Sequence, residues 1–121
     1  ATILDLTDTQ YPSEFNGKKV KPLEGLSFIK TFDDEPHKRE VLYFEHEGNK
    51  AVRKGEWKLV CKYPETWELY NMSNDRTETK NLITKHPKIT EELKVLYKQW
   101  ADRCNVLPWE EVLRIRQNNN K

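Results

Sequence analysis

Four short β-prone runs, separated by turn residues, lie in the middle of the chain and restrict its fold more than any other feature. The runs cover residues 41–44, 51–53, 57–61 and 67–70. Gly48-Asn49 and Gly55 are typical turn residues, and Pro64 interrupts the chain before the last run. Because loops this short join antiparallel neighbours, we predict a four-stranded antiparallel meander with turns at Gly48-Asn49 and Gly55.

An apolar stripe at helical spacing follows the predicted strands. It consists of Ile89, Leu93, Leu96, Tyr97, Trp100 and Cys104. Pro87 lies where a helix can begin, and Asn105 lies where a helix can end in the left-handed conformation. An antiparallel sheet with one apolar face needs a cover, and this helix can provide it. The predicted fold class is therefore α+β, a small four-stranded antiparallel sheet covered by one long C-terminal helix. The tail is compatible with one more short helix, and its polar end, residues 117–121, is predicted to be disordered.

Length and charge exclude several classes of protein. The chain has 121 residues, enough for one modest core, and its 21 Lys and Arg nearly balance its 20 Asp and Glu. The net charge of +1 provides no field that would attract nucleic acid or an anionic membrane surface. No stretch approaches the roughly 20 apolar residues that span a bilayer. We therefore expect neither a nucleic-acid partner nor a membrane partner.

The first third of the chain and the two cysteines give weaker signals. The chain begins at Ala1 in the middle of an apolar pattern, so we expect a segment of something longer. Residues 8–22 are polar and contain prolines and a glycine, which predicts an irregular segment. The spacing of Cys61 and Cys104 matches no zinc site, redox pair or disulfide framework, and predicts two small buried hydrophobic residues. A disulfide between them stays possible in an exported protein.

Three motifs in a fixed order resemble the C-terminal region of the sulfatase family, above all the arylsulfatases of bacteria. They are "KAVRKGEWKL" at 50–59, "WELY" at 67–70 and "DRTETKNL" at 75–82, and a long helix follows them. "ATILDL" and "NGKKVKPLEGLSF" are similar to the segment that leaves the catalytic domain in that family. The resemblance implies that residues 1–40 are a crossing segment from an absent catalytic domain and that residues 41–121 are the C-terminal sulfatase subdomain.

The same resemblance implies the chemistry of the parent enzyme and places it outside this chain. Sulfatases hydrolyse sulfate esters with a formylglycine, made in a C/S-x-P/A-x-R motif, and a divalent cation, usually calcium. Neither Cys61 nor Cys104 stands in such a motif, and Asp33-Asp34 lies in a charged loop unlike the family's metal-binding pair. We therefore expect no catalytic, cofactor or metal-binding residue here. Family members in bacteria are often periplasmic or secreted, which is the expectation for the parent.

His46 and Asn49, at the end of the first predicted hairpin, are the candidate substrate contacts. Histidine titrates near neutral pH, and a site at a hairpin end could line the mouth of the parent's substrate pocket. The alternative is a hairpin end with solvated charges. Glu45 and His46 point to opposite faces of a strand, so they do not automatically cooperate.

The favoured function is a structural fragment of an arylsulfatase or other sulfuric ester hydrolase, inactive alone, that forms one wall of the parent's cleft. Its partners would be the catalytic domain of the same chain and, through the parent, a sulfate ester. The alternative is an independent carbohydrate- or protein-binding module. A fragment should expose Leu, Ile and Phe between Ile3 and Ile29, whereas a binding module should show an exposed aromatic platform. Trp57, Trp67 and Trp100 are predicted to serve the core rather than such a platform.

Overall fold

The structure, a computed structural model, describes residues 1–36 and 39–119 and divides into two units, Ala1–Arg39 and Glu40–Lys121. The first unit contains helix α1 (Thr2–Leu6), strands β1 (Glu14–Phe15) and β2 (Lys18–Lys19), and a 3-10 helix at Ile29–Asp33. The predicted irregular stretch thus contains a small hairpin, whose turn residues Asn16 and Gly17 both have positive φ. The role of this unit as a crossing segment stays a prediction.

The second unit contains the predicted four-stranded antiparallel sheet. Its strands are β3 (Val41–His46), β4 (Asn49–Lys54), β5 (Trp57–Cys61) and β6 (Trp67–Asn71), in that spatial order. The β3–β4 turn is Glu47-Gly48, one residue earlier than predicted, and Asn49 is the first residue of β4. Both turn residues have positive φ, 50° and 81°, as a two-residue hairpin turn of the primed type requires.

One face of the sheet forms the core with helix α2 (Pro87–Cys104). The strand register places Val52, Leu59 and Leu69 side by side on this face, and all three are fully buried. From α2, Leu93 and Tyr97 pack against them. The predicted cover of the sheet by one long C-terminal helix is therefore confirmed.

The ends of α2 and the tryptophans also follow the sequence pattern. Pro87 is the first residue of α2, and Asn105 ends the helix with a φ of 53°. Trp57, Trp67 and Trp100 are half-buried and pack around the core, as predicted.

A further helix, α3 (Trp109–Asn119), follows α2. It confirms the additional short helix but contradicts the prediction of disorder for residues 117–119, and residues 120 and 121 lie outside the described part of the chain. Glu110 and Glu111 in its first turn and Arg116 in its last turn suit the helix dipole, which explains why a polar tail continues as a helix.

The loop between β6 and α2 is held by side chains of the "DRTETKNL" motif. The Asp75 carboxylate accepts hydrogen bonds from the backbone N–H groups of Thr79 and Lys80, at 2.9 and 2.8 Å. These bonds lower the pKa of Asp75. Glu78 forms an ion pair with Lys58 on β5. The motif thus fixes a loop and ties it to the sheet.

The cysteines do not behave as predicted. Cys104 is exposed at the end of α2, and Cys61 is half-buried at the end of β5; both are free thiols. The prediction of two buried hydrophobic residues is therefore wrong, because both residues lie at the ends of their elements, beyond the fully buried rows. Partial burial raises the pKa of Cys61, whose thiol donates a hydrogen bond to the Glu65 carbonyl at 3.1 Å.

Replacing Leu59 by Ala tests the core. Leu59 is fully buried between Val52 and Leu69, so Leu59→Ala should lower the free energy of unfolding by about 2–5 kcal/mol. The matched control is Val95→Ala on the exposed side of α2, which should stay within about 0.5 kcal/mol of the unchanged protein. Urea unfolding followed by circular dichroism measures both. Equal effects would contradict the assignment of the core face.

Candidate functional site at the β3–β4 hairpin

The structure brings the two predicted site residues together. His46 ends β3, Asn49 begins β4, and the two are direct cross-strand partners on either side of the Glu47-Gly48 turn. Both are exposed. Because side chains alternate along a strand, they lie on the sheet face opposite to α2.

The Asn49 carboxamide serves the fold of the hairpin end. Its nitrogen donates a hydrogen bond to the His46 carbonyl at 2.8 Å, and its oxygen accepts one from the Tyr63 backbone N–H at 3.1 Å. The first bond closes the hairpin, and the second ties it to the loop between β5 and β6. One N–H of the carboxamide is left for a ligand, so Asn49 can contact a substrate without giving up its structural role.

A pocket of about 510 Å³ opens beside this hairpin. Its lining residues come from β3, β4 and α2, and they are Tyr43, Phe44, Glu45, His46, Asn49, Lys50, Ala51 and Trp100. The rings of Tyr43 and Trp100 are stacked, with centroids 5.2 Å apart. The lining residues therefore belong to both faces of the sheet: Tyr43 and Lys50 to the α2 face, and His46 and Asn49 to the opposite face. Lys50 was not predicted as a site residue, although it lies beside Asn49 in the same motif.

Glu45 lies on the α2 side of the sheet and does not act with His46. One of its oxygens accepts a hydrogen bond from the Gly48 N–H at 3.0 Å, and the other accepts one from the Tyr97 hydroxyl. Burial, and next the hydrogen bond to Glu45, raise the pKa of Tyr97. The carboxylate thus braces the turn against α2, as the alternation of side chains along the strand indicated.

Helix α3 packs against the hairpin turn from its first residue. Gly48 is buried and so close to Trp109 that an added Cβ would lie 2.9 Å from the Trp109 Cβ. Arg116 lies over the Trp109 ring, 4.9 Å from the centroid, and its guanidinium is 3.8 Å from a Glu47 oxygen. This contact between distant parts of the sequence was not predicted. The helical spacing of Trp109 and Arg116 is the one signal that could have indicated it.

The described residues contain no group of three or more His, Cys, Asp or Glu side chains that could hold a metal ion. Nor does any helix in residues 1–36 and 39–119 have the length and apolar character needed to cross a membrane.

A family model settles which proteins this chain resembles. The model describes the C-terminal part of N-sulphoglucosamine sulphohydrolase and matches residues 1–103. The chain belongs to this sulfatase family. It is a sulfatase C-terminal subdomain, which confirms the resemblance and disfavours an independent binding module.

Similarity to a known protein supports this assignment. An uncharacterized sulfatase of Schizosaccharomyces pombe is 34% identical over 100 residues, which are 76% of this chain and 18% of that protein. The chain thus spans about a fifth of the length of its curated relative.

Two solved structures show the same fold as the sulfatase subdomain. BT33336S-sulf of Bacteroides thetaiotaomicron matches with a TM-score of 0.63 and 19% identity, over 81% of this chain and 23% of that one. BT4656, solved in complex with its substrate D-glucosamine-2-N,6-O-disulfate, matches with a TM-score of 0.63 and 23% identity, over 90% of this chain and 24% of that one.

Replacing Gly48 by Ala tests the packing of Trp109 on the turn. Gly48→Ala combines a positive φ with the close approach of Trp109, whereas Gly55→Ala has a positive φ and open space. Gly55→Ala should lower the free energy of unfolding by about 1 kcal/mol. Gly48→Ala should lower it by about 1–3 kcal/mol more, because the added methyl group overpacks the contact. Denaturant unfolding checks the difference, and equal losses would show that Trp109 does not press on the turn.

The raised pKa of Tyr97 predicts a loss of stability in alkali. The fold favours the neutral phenol, so this contribution is fully present below the unfolded pKa of about 10 and is lost as pH rises towards the higher folded pKa. Tyr70 adds to the loss, since burial raises its pKa to about 12. Tyr97→Phe should therefore make the fall in stability above pH 10 shallower. Urea unfolding between pH 9 and 11.5 measures it, with Tyr11→Phe as the exposed control. Parallel curves for Tyr97→Phe and the unchanged protein would contradict the assignment.

Proposed function

We propose that this chain stabilises the catalytic domain of a sulfuric ester hydrolase and forms one wall of its substrate cleft, with His46 and Asn49 in that wall. The match of the sulfatase model over residues 1–103 carries the proposal. The C-terminal domain of sulfatases accompanies an N-terminal catalytic domain, and the chain corresponds to about a fifth of its curated relative. In this proposal the chain alone is catalytically silent.

The proposed reaction uses a formylglycine and a divalent cation, calcium in the usual case, both held by the catalytic domain. Such a metal needs several converging oxygen ligands. The described residues offer no cluster of that kind, and neither cysteine lies in a C/S-x-P/A-x-R motif. These groups therefore have no fitting site in the described part of this chain, and we assign it no step that involves them.

Exposed apolar side chains in the first unit support the association with a larger domain. The exposed set between Ile3 and Ile29 contains Ile3, Leu6, Phe15, Leu23, Leu26 and Phe28. Ile3 is 76% exposed and Phe15 is 69% exposed, and exposed apolar side chains that form a patch are typical of contact surfaces. This is the outcome that distinguishes a fragment from a binding module. The tryptophans of the core offer no comparable exposed platform, because they are half-buried around it.

The substrate proposed here is a sulfated sugar, and sulfated glucosamine comes first. The matching family model carries the name of an N-sulphoglucosamine sulphohydrolase, and the related BT4656 has D-glucosamine-2-N,6-O-disulfate as its substrate. The hairpin tip suits such a sugar, because the exposed side chains of His46 and Asn49 lie on one face and can donate hydrogen bonds to a sulfate or hydroxyl group. An aryl sulfate lacks the ring hydroxyls, so it should depend less on these polar groups.

Replacing His46 tests the wall of the cleft in the full-length enzyme that contains this chain. His46→Ala should raise KM for D-glucosamine-2-N,6-O-disulfate about tenfold, the effect of one lost hydrogen bond to a charged group, and leave kcat within about twofold. His46→Gln keeps a donor and should restore part of the affinity. Lys98→Ala, on the exposed side of α2, is the control.

Two results would contradict the proposal. Unchanged kinetics of His46→Ala on both sulfated glucosamine and an aryl sulfate would remove His46 from the cleft. Turnover of either substrate by the 121-residue chain alone would show that the chain is not catalytically silent.

A further inference from the structure

The two edge strands of the sheet differ in what covers their outer backbone groups. In the order β3-β4-β5-β6, β3 and β6 are the edge strands, and each presents a row of backbone N–H and C=O groups outward. Such rows are templates for pairing with another strand, so native proteins cover or guard them. What covers each row therefore indicates where another segment can dock.

The edge of β6 is covered by its own chain. The Leu69 N–H donates a hydrogen bond to the Asn81 side-chain oxygen at 3.1 Å, and the Leu69 carbonyl accepts one from the Leu82 N–H at 2.7 Å. The same Asn81 oxygen also accepts a bond from the Ile83 N–H at 3.0 Å, so residues 81–83 form a turn against the strand. This edge is closed.

The edge of β3 is not covered by any described part of the chain. The two-residue turn makes His46 and Asn49 a hydrogen-bonded pair, and bonded and non-bonded pairs then alternate along an antiparallel ladder. Leu42, Phe44 and His46 therefore bond to β4, while the N–H and C=O groups of Tyr43 and Glu45 point outward. Among the described residues, no backbone group outside the sheet bonds to these two.

The side chains of β3 do not prevent another strand from pairing with this edge. Exposed edges carry lysine, proline or bulges that prevent pairing, but Val41 to Phe44 are four consecutive apolar β-formers without any of these. Phe44 is 52% exposed. The carboxylate of Glu45 is bound to Gly48 and Tyr97, so it does not guard the edge either. An edge of this composition is suited to being covered by a partner.

We propose that the outer edge of β3 pairs with an extended strand of the catalytic domain of the same enzyme. Main-chain bonds to Tyr43 and Glu45 would hold that strand, and an apolar side chain on it would cover Phe44. The catalytic domain is the favoured occupant for two reasons. The matched part is only 18% of the curated relative, so most of a protein of that kind lies outside this chain. A domain linked in the same chain is also present at high effective concentration. The pairing stops at residue 45, so it leaves the His46-Asn49 tip at the cleft. It rests on the proposed function only for the existence of that catalytic domain.

Amide hydrogen exchange in the full-length enzyme, resolved to single residues, tests the pairing. The amides of Tyr43 and Glu45 should be protected as strongly as those of Leu42 and Phe44, and protection should be independent of protein concentration. The Leu69 amide, bonded to Asn81, is the internal reference for a closed edge. Rapid exchange at Tyr43 and Glu45 would overturn the proposal. Protection that disappears on dilution would also overturn it, because the occupant would then be a second copy.

A substituted pair provides a second readout. Phe44→Lys adds the charge that guards a free edge, so it should lower the thermal midpoint of the full-length enzyme by several degrees if a strand covers this side chain. Val95→Lys, at a similarly exposed position on α2, should not. Equal midpoints for the two variants would count against the docked strand. An unchanged KM in His46→Ala would leave the exchange result standing, so failures of the two proposals are distinguishable.

Discussion

The packing of α2 on one face of the sheet is the interaction on which the rest of this structure depends. Leu93 and Tyr97 meet the fully buried row of Val52, Leu59 and Leu69, and few other side chains in the described chain are buried. Because 34% of the residues are charged, few apolar residues are left to form a second core. A one-residue slip of any strand would turn this row towards the opposite face, so the same contact fixes the register that places His46 opposite Asn49.

The motifs that carry the family resemblance stabilise this fold. Asp75 holds the loop backbone, Asn81 covers the edge of β6, and Lys58 and Glu78 join the loop to the sheet. Gly55 turns the chain between β4 and β5 at a positive φ. Each of these roles depends on a particular residue type, which explains why a short sequence pattern can identify this subdomain.

Local patterns predicted the strands and α2, because alternation and helical spacing report which face of an element is buried. They failed where the deciding contact is distant or the backbone is unusual. Glu47 adopts a positive φ that its residue type does not indicate, so the turn was placed one residue late. Trp109 contacts Gly48 across more than half of the second unit, and helical spacing alone does not identify which distant residue a side chain contacts. His46 and Asn49 were predicted as a pair of neighbours, but their pocket depends on Trp100 from α2.

The hairpin tip is held in place from three sides, and this support suits the role in a cleft wall that we propose for it. Glu45 ties it to Tyr97, Asn49 ties it to the backbone of Tyr63, and Trp109 packs on Gly48. Such support would raise the affinity of a substrate contact at this tip, because less side-chain and loop entropy is lost on binding. The open edge of β3 is the one side of this hairpin without a brace in the described chain. A strand from the catalytic domain at that edge would link the position of the tip directly to the domain whose substrate it is proposed to contact.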